Sequence, residues 1–372
     1  MKVLYNICSH MHIRLGYMLS LIFFVQFFVL ACQQNKKEIS IIWKNKQAVG
    51  ISIPKPLVDD IDSASQLLQT RLANNAASIL GEYNTTGEEI VFEPIVPLSR
   101  GMEYELFFRN KIIGKINIPM ADASGAATLV AVYPSADTVP ENLLKIYLRF
   151  SASMREGEAL KHIALLDSHN DTVPGVFLDL QPELWNKERT VLTVWLDPGR
   201  IKRDLIPNQQ MGNPLRQGKQ YTLAVSGKWK DVQGLPLQKA YSKNFFVGGR
   251  DSQSPQPGTW VLSLPAAETK ESLKGDSNEP LDYFLLLETV SIVDEKENKV
   301  TGDIKVHENE TGFEFLPAQP WKPGRYKLRI ASYLEDLAGN NLQRLFDREI
   351  SKQPEKKEEQ FFAREFIIPG TK

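Results

Sequence analysis

Cysteine is almost missing from this chain: 372 residues contain two, Cys8 and Cys32. No disulfide can therefore close within residues 33–372, and no thiol there can serve as a nucleophile. A chain without internal crosslinks must be held by hydrophobic cores, and this one is long enough for two or three. Histidine is nearly as scarce. Beyond residue 31 there are only His162, His169 and His307, too few for a Cys/His zinc site or a His/Met copper cluster. No excess of either charge sign exists: the formal net charge is −1. That balance excludes nucleic acid as a partner by bulk charge. The chain also lacks Gly-x-Ser-x-Gly, His-Glu-x-x-His and a phosphate loop, so no catalytic residue and no cofactor is assigned. Helical periodicity is thin. Residues 61–80 and parts of 141–162 are the fair candidates, and short helices are expected there at most.

Acids are absent before Glu38, and Lys2 and Arg14 precede an apolar run from Gly16 to Ala31. That run is short for a membrane span, which needs about 20 apolar residues. A charged start, an apolar middle and a small residue before a cleavage point describe a secretory leader. The sequence Val29-Leu30-Ala31-Cys32 resembles the lipobox of bacterial lipoproteins. The resemblance implies that Cys32 is acylated, becomes the first mature residue and ties the protein to a membrane, as an outer-membrane lipoprotein facing the periplasm or the surface. Two or three acyl chains suffice for stable anchoring.

The rest of the chain repeats itself. Pro97-Leu98-x-x-Gly101-x-x-Tyr104-x-Leu106 returns as Pro214-Leu215-x-x-Gly218-x-x-Tyr221-x-Leu223, and one residue shorter as Pro320-Trp321-x-x-Gly324-x-Tyr326-x-Leu328. Ten residues after Tyr221 comes Asp231-x-x-Gly234, and ten after Tyr326 comes Asp336-x-x-Gly339. Upstream, Asp167 with Val173 and Gly175 has the spacing of Asp294 with Val300 and Gly302. The first copy lacks the Asp-x-x-Gly element. The period is that of a whole domain rather than a solenoid repeat.

Between these anchors run segments of alternating polarity: Leu144–Phe150, Tyr221–Trp229 and Tyr326–Ser332. Such strands put one face on a core and one in water. Short strands with frequent turns predict an all-β architecture of tandem antiparallel β-sandwiches. The proline and glycine before each tyrosine suit a turn between sheets, with the tyrosine hydroxyl bonding back to the backbone, as in a tyrosine corner. Each Asp-x-x-Gly suits a hairpin whose aspartate accepts from backbone N–H groups and whose glycine takes a positive φ.

On these residues the chain resembles bacterial Ig-like domains of the S-layer-protein type (bacterial Ig-like group 5). The resemblance rests on the Pro134–Met154 run, Gly218-x-x-Tyr221, Asp231-x-x-Gly234, Phe313-Glu-Phe315-x-Pro317 and Asp336-Leu-Ala-Gly-Asn340. It covers roughly 127–372 and is thin over 39–120. It implies structural, adhesive or spacer modules without catalytic residues. The expected organisation is a signal peptide at 1–31, a lipidated tether at 32–38, a divergent β-sandwich at 39–120, and Ig-like domains at 127–248 and 259–372.

Two features could bind something. The second unit carries an insertion after Pro198, and its Arg200, Lys202 and Arg203, with Arg216, could hold an acidic sugar, a phosphate or a carboxylate. The other reading is that these cations pair locally with Asp197 and Asp204 and only fix the loop. Trp195 alternates with the inward Val194 and Leu196 and so points outward, where it could stack on a sugar ring or a partner; it could equally be an inter-domain contact or be partly covered by the inserted loop. No metal site is expected: Asp167–Asp171 and Asp294–Glu297 read as hairpins rather than calcium loops. The expectation is a lipid-anchored, non-enzymatic envelope protein whose partner is another envelope protein or a glycan. The alternative is a carbohydrate- or peptidoglycan-binding accessory protein using the 199–216 loop.

Overall fold

The structure, a computed structural model, describes residues 38–347 and 360–370. The leader, Cys32 and nearly all of the tether lie outside the described residues, as does most of the 351–360 loop. No helix among the described residues is long and apolar enough to cross a membrane. The chain divides into two compact units between Met120 and Ala121, and the second unit holds two separate cores.

The first unit is built from β1 (Ser40–Lys44), β2 (Gln47–Pro54), β3 (Leu68–Leu72), β4 (Gly81–Thr86), β5 (Glu89–Pro94), β6 (Glu103–Phe108) and β7 (Lys111–Asn117). One antiparallel sheet runs β1-β2-β5-β4 and the other β3-β6-β7. Lettered A to G in chain order, this is ABED against CFG, the arrangement of an Ig constant-type sandwich. The alternation in β2, β5 and β6 explains it. Ile51, Ile53, Ile90, Phe92, Tyr104, Leu106 and Phe108 all turn inward and are buried together.

The next domain contains β8 (Leu129–Tyr133), β9 (Thr138–Val139), β10 (Lys145–Phe150), β11 (Ile163–Leu166), β12 (Leu184–Trp185), β13 (Val191–Trp195), β14 (Gln220–Val225) and β15 (Tyr241–Val247). Its sheets are β12-β13-β10-β8 and β11-β14-β15-β9, with β9 pairing parallel to β15. The last domain contains β16 (Val261–Ser263), β17 (Leu273–Asp276), β18 (Val290–Asp294), β19 (Gly302–Val306), β20 (Gly312–Pro317), β21 (Gly324–Ala331) and β22 (Phe361–Ile368). Its sheets are β16-β17-β20-β19 and β18-β21-β22. Apart from the extra short β9, the strand order of the first unit recurs twice. The fold is therefore all-β, with tandem Ig-like antiparallel β-sandwich domains.

The three corners are equivalent. Leu98, Leu215 and Trp321 plug their sandwiches at the same place and are buried. The Tyr104 hydroxyl accepts from the Ser99 N–H at 2.9 Å, and the Tyr326 hydroxyl donates to the Lys322 carbonyl at 2.9 Å. Tyr221 bonds with the backbone of Arg216, five residues upstream as Ser99 is of Tyr104.

The aspartates close one type of hairpin four times. Oδ1 of Asp167 accepts from the N–H of His169 and Asp171, and Oδ1 of Asp294 from Lys296 and Asn298. Asp231 does the same with Gln233 and Leu235, and Asp336 with Ala338 and Asn340. The third residue after each aspartate has a positive φ: Asn170 64°, Gly234 83°, Glu297 68° and Gly339 80°. The first unit closes two of its hairpins differently, with two-residue turns at Asn45-Lys46 and Arg109-Asn110 whose φ values are all positive.

The helices differ in part from expectation. Within 61–80 a single turn, Ala64–Leu67, leads straight into β3. Residues 141–162 hold β10 and one 3₁₀ turn at Ala159–Lys161, because alternation of Ile146, Leu148 and Phe150 onto the core outweighs any helical spacing. The helix Tyr283–Thr289 has no counterpart in the sequence reading. It starts at Asp282, whose side chain accepts from the Leu285 N–H.

Candidate functional site

Alternation in β10 buries Ile146 and Leu148, so Lys145 and Tyr147 emerge on the other face of the sheet. Their ladder partners on that face are Trp195 in β13 and Tyr133 in β8. Around Lys145 and Tyr147 this face is covered, while Arg149 further along it is exposed. The Asp282 cap and the helix after it, from the last domain, pack onto it. Tyr283 stacks on Tyr133 with ring centroids 3.7 Å apart, and Phe284 meets Tyr147 edge-on at 4.9 Å.

Charge is buried in this joint. Lys145 Nζ lies 2.7 Å from Asp282 Oδ2 and 2.8 Å from Glu335 Oε2. The Lys145 side chain is 10% exposed and that of Asp282 2%. Burial works against the lysine's charge, but the two carboxylates outweigh it and hold its pKa above the usual lysine value. The Tyr147 hydroxyl donates to Asp282 Oδ2 at 2.6 Å, and burial followed by the Asp282 charge pushes its pKa up. Nearby, both carboxylate oxygens of Glu310 accept from the Ser135 N–H, at 3.0 and 2.9 Å. The Ser135 carbonyl in turn accepts from Lys243 Nζ at 2.7 Å. The Leu144 N–H donates across the joint to the Leu337 carbonyl at 2.9 Å. The linker is fixed as well: Asn142 exchanges two 2.8 Å hydrogen bonds with the Asp251 backbone.

The inserted loop belongs to the same joint. Asp197 caps the short helix Pro198–Ile201 by accepting from the Gly199 N–H. Arg200 is 5% exposed. Its guanidinium donates to the carbonyls of Pro174, Gly175, Gly212 and Asn213 at 2.7 to 3.3 Å. Burial lowers its pKa. Lys202 Nζ sits 4.4 Å from the centre of the Phe346 ring. Arg203 Nε donates to Asp347 Oδ2 at 2.9 Å, and Arg250 reaches both that oxygen at 2.6 Å and the Ile201 carbonyl at 2.8 Å.

The cations proposed from sequence therefore do not converge on one ligand position. Arg200 is spent on backbone carbonyls that tie the loop to Pro174 and Gly175, Lys202 and Arg203 grip the last domain, and Arg216 stays exposed at the corner. Neither Asp197 nor Asp204 is the partner of Arg203; Asp347 is, 144 residues away in the sequence. Trp195 is half-buried and packs against the core of its own domain, with Lys145 Nζ 5.9 Å from its ring centre.

One group of acids was not found from sequence. Among the described residues, Asp251, Glu279 and Asp336 have carboxylate oxygens all within 4.8 Å of one another, placed where they could share a cation. They come from the linker, the loop after β17 and the hairpin after β21. Burial, reinforced by the Asp251 charge, pushes both Glu279 and Asp336 up to about 7. No local spacing could have shown this, because the fold alone brings the three together.

No protein-family model matches the chain, and no curated protein matches it. Solved structures do. Native alpha-2-macroglobulin from Escherichia coli is 13% identical over 55% of this chain and 66% of that one, with a TM-score of 0.22. The N-terminal part of the bacterial S-layer protein SbsC is 14% identical over 56% of this chain and 40% of that one, with a TM-score of 0.23. An I-band fragment from titin is 12% identical over 70% and 81%, with a TM-score of 0.19. This chain spans less than two thirds of the first two. Scores this low carry no functional argument, and the Ig-like assignment stands on the strand order and corners described above.

Proposed function

We propose that this chain is a lipid-anchored cell-envelope protein whose Ig-like domains serve as a structural, spacer or adhesive module, without catalysis. The anchor reading rests on the Gly16–Ala31 run and Cys32. An outer-membrane lipoprotein facing the periplasm or the surface fits that leader, and group 5 Ig-like domains fit the repeated corner and hairpin motifs. The observation that carries the mechanical reading is the joint. Lys145, Lys202 and Arg203, cations well suited to meet a ligand, are engaged between two domains instead. A protein that uses its polar surface to fix one domain against the next is built to hold a geometry.

The anchor is tested by Cys32→Ser. The wild-type protein should partition with membranes and carry acyl mass on Cys32, and the variant should lose both. A wild-type protein recovered soluble with an unmodified Cys32 would overturn the anchor. A glycan array tests the binding alternative: glycan binding that disappears in Arg216→Ala would favour the accessory-protein reading.

A further inference from the structure

We propose that the joint between the last two domains is the site of a self-made covalent bond: an amide joining Lys145 Nζ to Cγ of Asp282, formed with Glu335 as proton carrier and with loss of one water. This goes beyond the spacer reading, since a spacer can hold its geometry with or without the bond.

Three observations carry it. First, the reacting groups are already together. Lys145 Nζ lies 2.7 Å from Asp282 Oδ2 and 2.8 Å from Glu335 Oε2. An amine, a carboxyl to receive it and a second carboxylate to move its protons thus meet at one point. The Asp282 carboxyl is also held on both sides: Oδ1 accepts from the Leu285 N–H at 3.1 Å and Oδ2 from the Tyr147 hydroxyl at 2.6 Å. Groups fixed and aligned in this way react as though present at about 10⁵–10⁸ M. Second, the site is dry and ringed by aromatics. Trp195 and Tyr147 have their ring centres 5.9 and 6.0 Å from Nζ. No other lysine–carboxylate pair among the described residues is sealed on both sides. Lys115, Lys274 and Lys327 are 32 to 51% exposed, and Lys243 faces Asp137, which is 97% exposed. Keeping an ion pair out of water costs the desolvation of both charges, and an amide removes both. Third, there is room for the product. A cavity of about 10 Å³, lined by Lys145, Tyr147 and Asp282 among others, adjoins the reacting atoms and has the size of one water.

The step balances without a co-reactant. Glu335 Oε2 takes one proton from the Lys145 ammonium. The amine lone pair attacks Cγ of Asp282, and the charge gathering on Oδ1 is met by the Leu285 N–H. Oδ2 leaves as water, with the proton returned by Glu335 and a second one from Nζ. The Nζ–Cγ bond forms as the Cγ–Oδ2 bond breaks, nothing is oxidised, and Glu335 ends as the carboxylate it was. The raised pKa of Lys145 does not bar this, because the proton moves within the cluster and not out to bulk water. Tyr147, whose pKa is pushed up, keeps its proton and its hydrogen bond to the leaving oxygen. Asp282 is the carboxyl consumed because it is the one sealed in and polarised, whereas the Glu335 side chain is 26% exposed. The event happens once per molecule, without turnover.

Peptide mapping by mass spectrometry of the full chain, unfolded and digested with trypsin, tests this. The bond should block cleavage after Lys145 and tie segment 116–149 to segment 275–296, in a species lighter than their sum by one water. Asp282→Asn should give the same two segments joined with loss of one ammonia, because nitrogen is then the leaving atom. Lys145→Arg should give no linked species, and Glu335→Gln should lower its yield at equal time by at least about a hundredfold. Folded wild-type protein that yields only separate segments, cut after Lys145, overturns the bond and leaves the spacer reading standing. Loss of water from Asp282→Asn would put the bond on another carboxyl and overturns the assignment equally. Linked segments in a chain whose last two domains still tumble separately defeat the spacer reading and not the bond.

Discussion

Lys145 and Asp282 lie 137 residues apart in the chain yet meet at 2.7 Å, both nearly sealed from water. A pair like this contributes less through its attraction than through what happens when it is broken. Removing the lysine leaves the buried Asp282 carboxylate, and the less buried Glu335 beside it, without a counter-charge.

Lys145→Met should therefore cost about 3–5 kcal/mol. The cost should appear in urea unfolding followed by tryptophan fluorescence, as an earlier transition of the last two domains. Adding Asp282→Asn to that variant should recover part of the loss, because it removes the stranded charge. Two independent, additive losses would show that the residues are not coupled.

The two aspartate hairpins should respond differently to alanine at their glycines. Gly234 and Gly339 have φ near 80°, where an L-residue costs about 1–2 kcal/mol. At Gly234 the added methyl would meet only the end of the Arg155 side chain, at 3.2 Å, which can move. At Gly339 it would run into Leu144 of the neighbouring domain. Gly339→Ala should thus lower thermal stability more than Gly234→Ala. The reverse ranking would place the hairpin away from the joint.

Each corner tyrosine should be worth one hydrogen bond. Tyr104→Phe, Tyr221→Phe and Tyr326→Phe should each cost about 0.5–1.5 kcal/mol in chemical denaturation.

Acid should release the loop clamp. Burial opposes ionisation of Asp347, but hydrogen bonds from Arg203 and the charge of Arg250 prevail and hold its pKa below the usual carboxylate value. A depressed pKa contributes stability above the normal range near 4 that disappears as pH falls through the lowered value. Arg203 is largely exposed, so its share is about 0.2–1 kcal/mol. Protease cleavage within the 198–214 loop should accelerate below about pH 4, and Arg203→Ala should show part of that acceleration at neutral pH.

Much of each domain could be read from residue order. Corners and hairpins are local devices: Gly218 and Tyr221 are three residues apart, Asp336 and Gly339 likewise, and each performs one task in its own turn. The alternation that buries Val194 and Leu196 leaves Trp195 between them half-buried. What lay beyond reach was the covering of the sheet's outer face beside it. Lys145 meets Asp282, 137 residues later, and Asp251, Glu279 and Asp336 share no spacing at all. The first unit looked divergent for a physical reason too. Its hairpins at Asn45-Lys46 and Arg109-Asn110 use two-residue turns, which need no capping aspartate.

Residual dipolar couplings on the full chain test the central claim most directly, namely that the last two domains act as one body. Amides of 127–248 and of 259–347 should fit a single alignment tensor. Two tensors of different magnitude or orientation would mean that the domains tumble separately, and the buried Lys145–Asp282–Glu335 contact would not be what holds them.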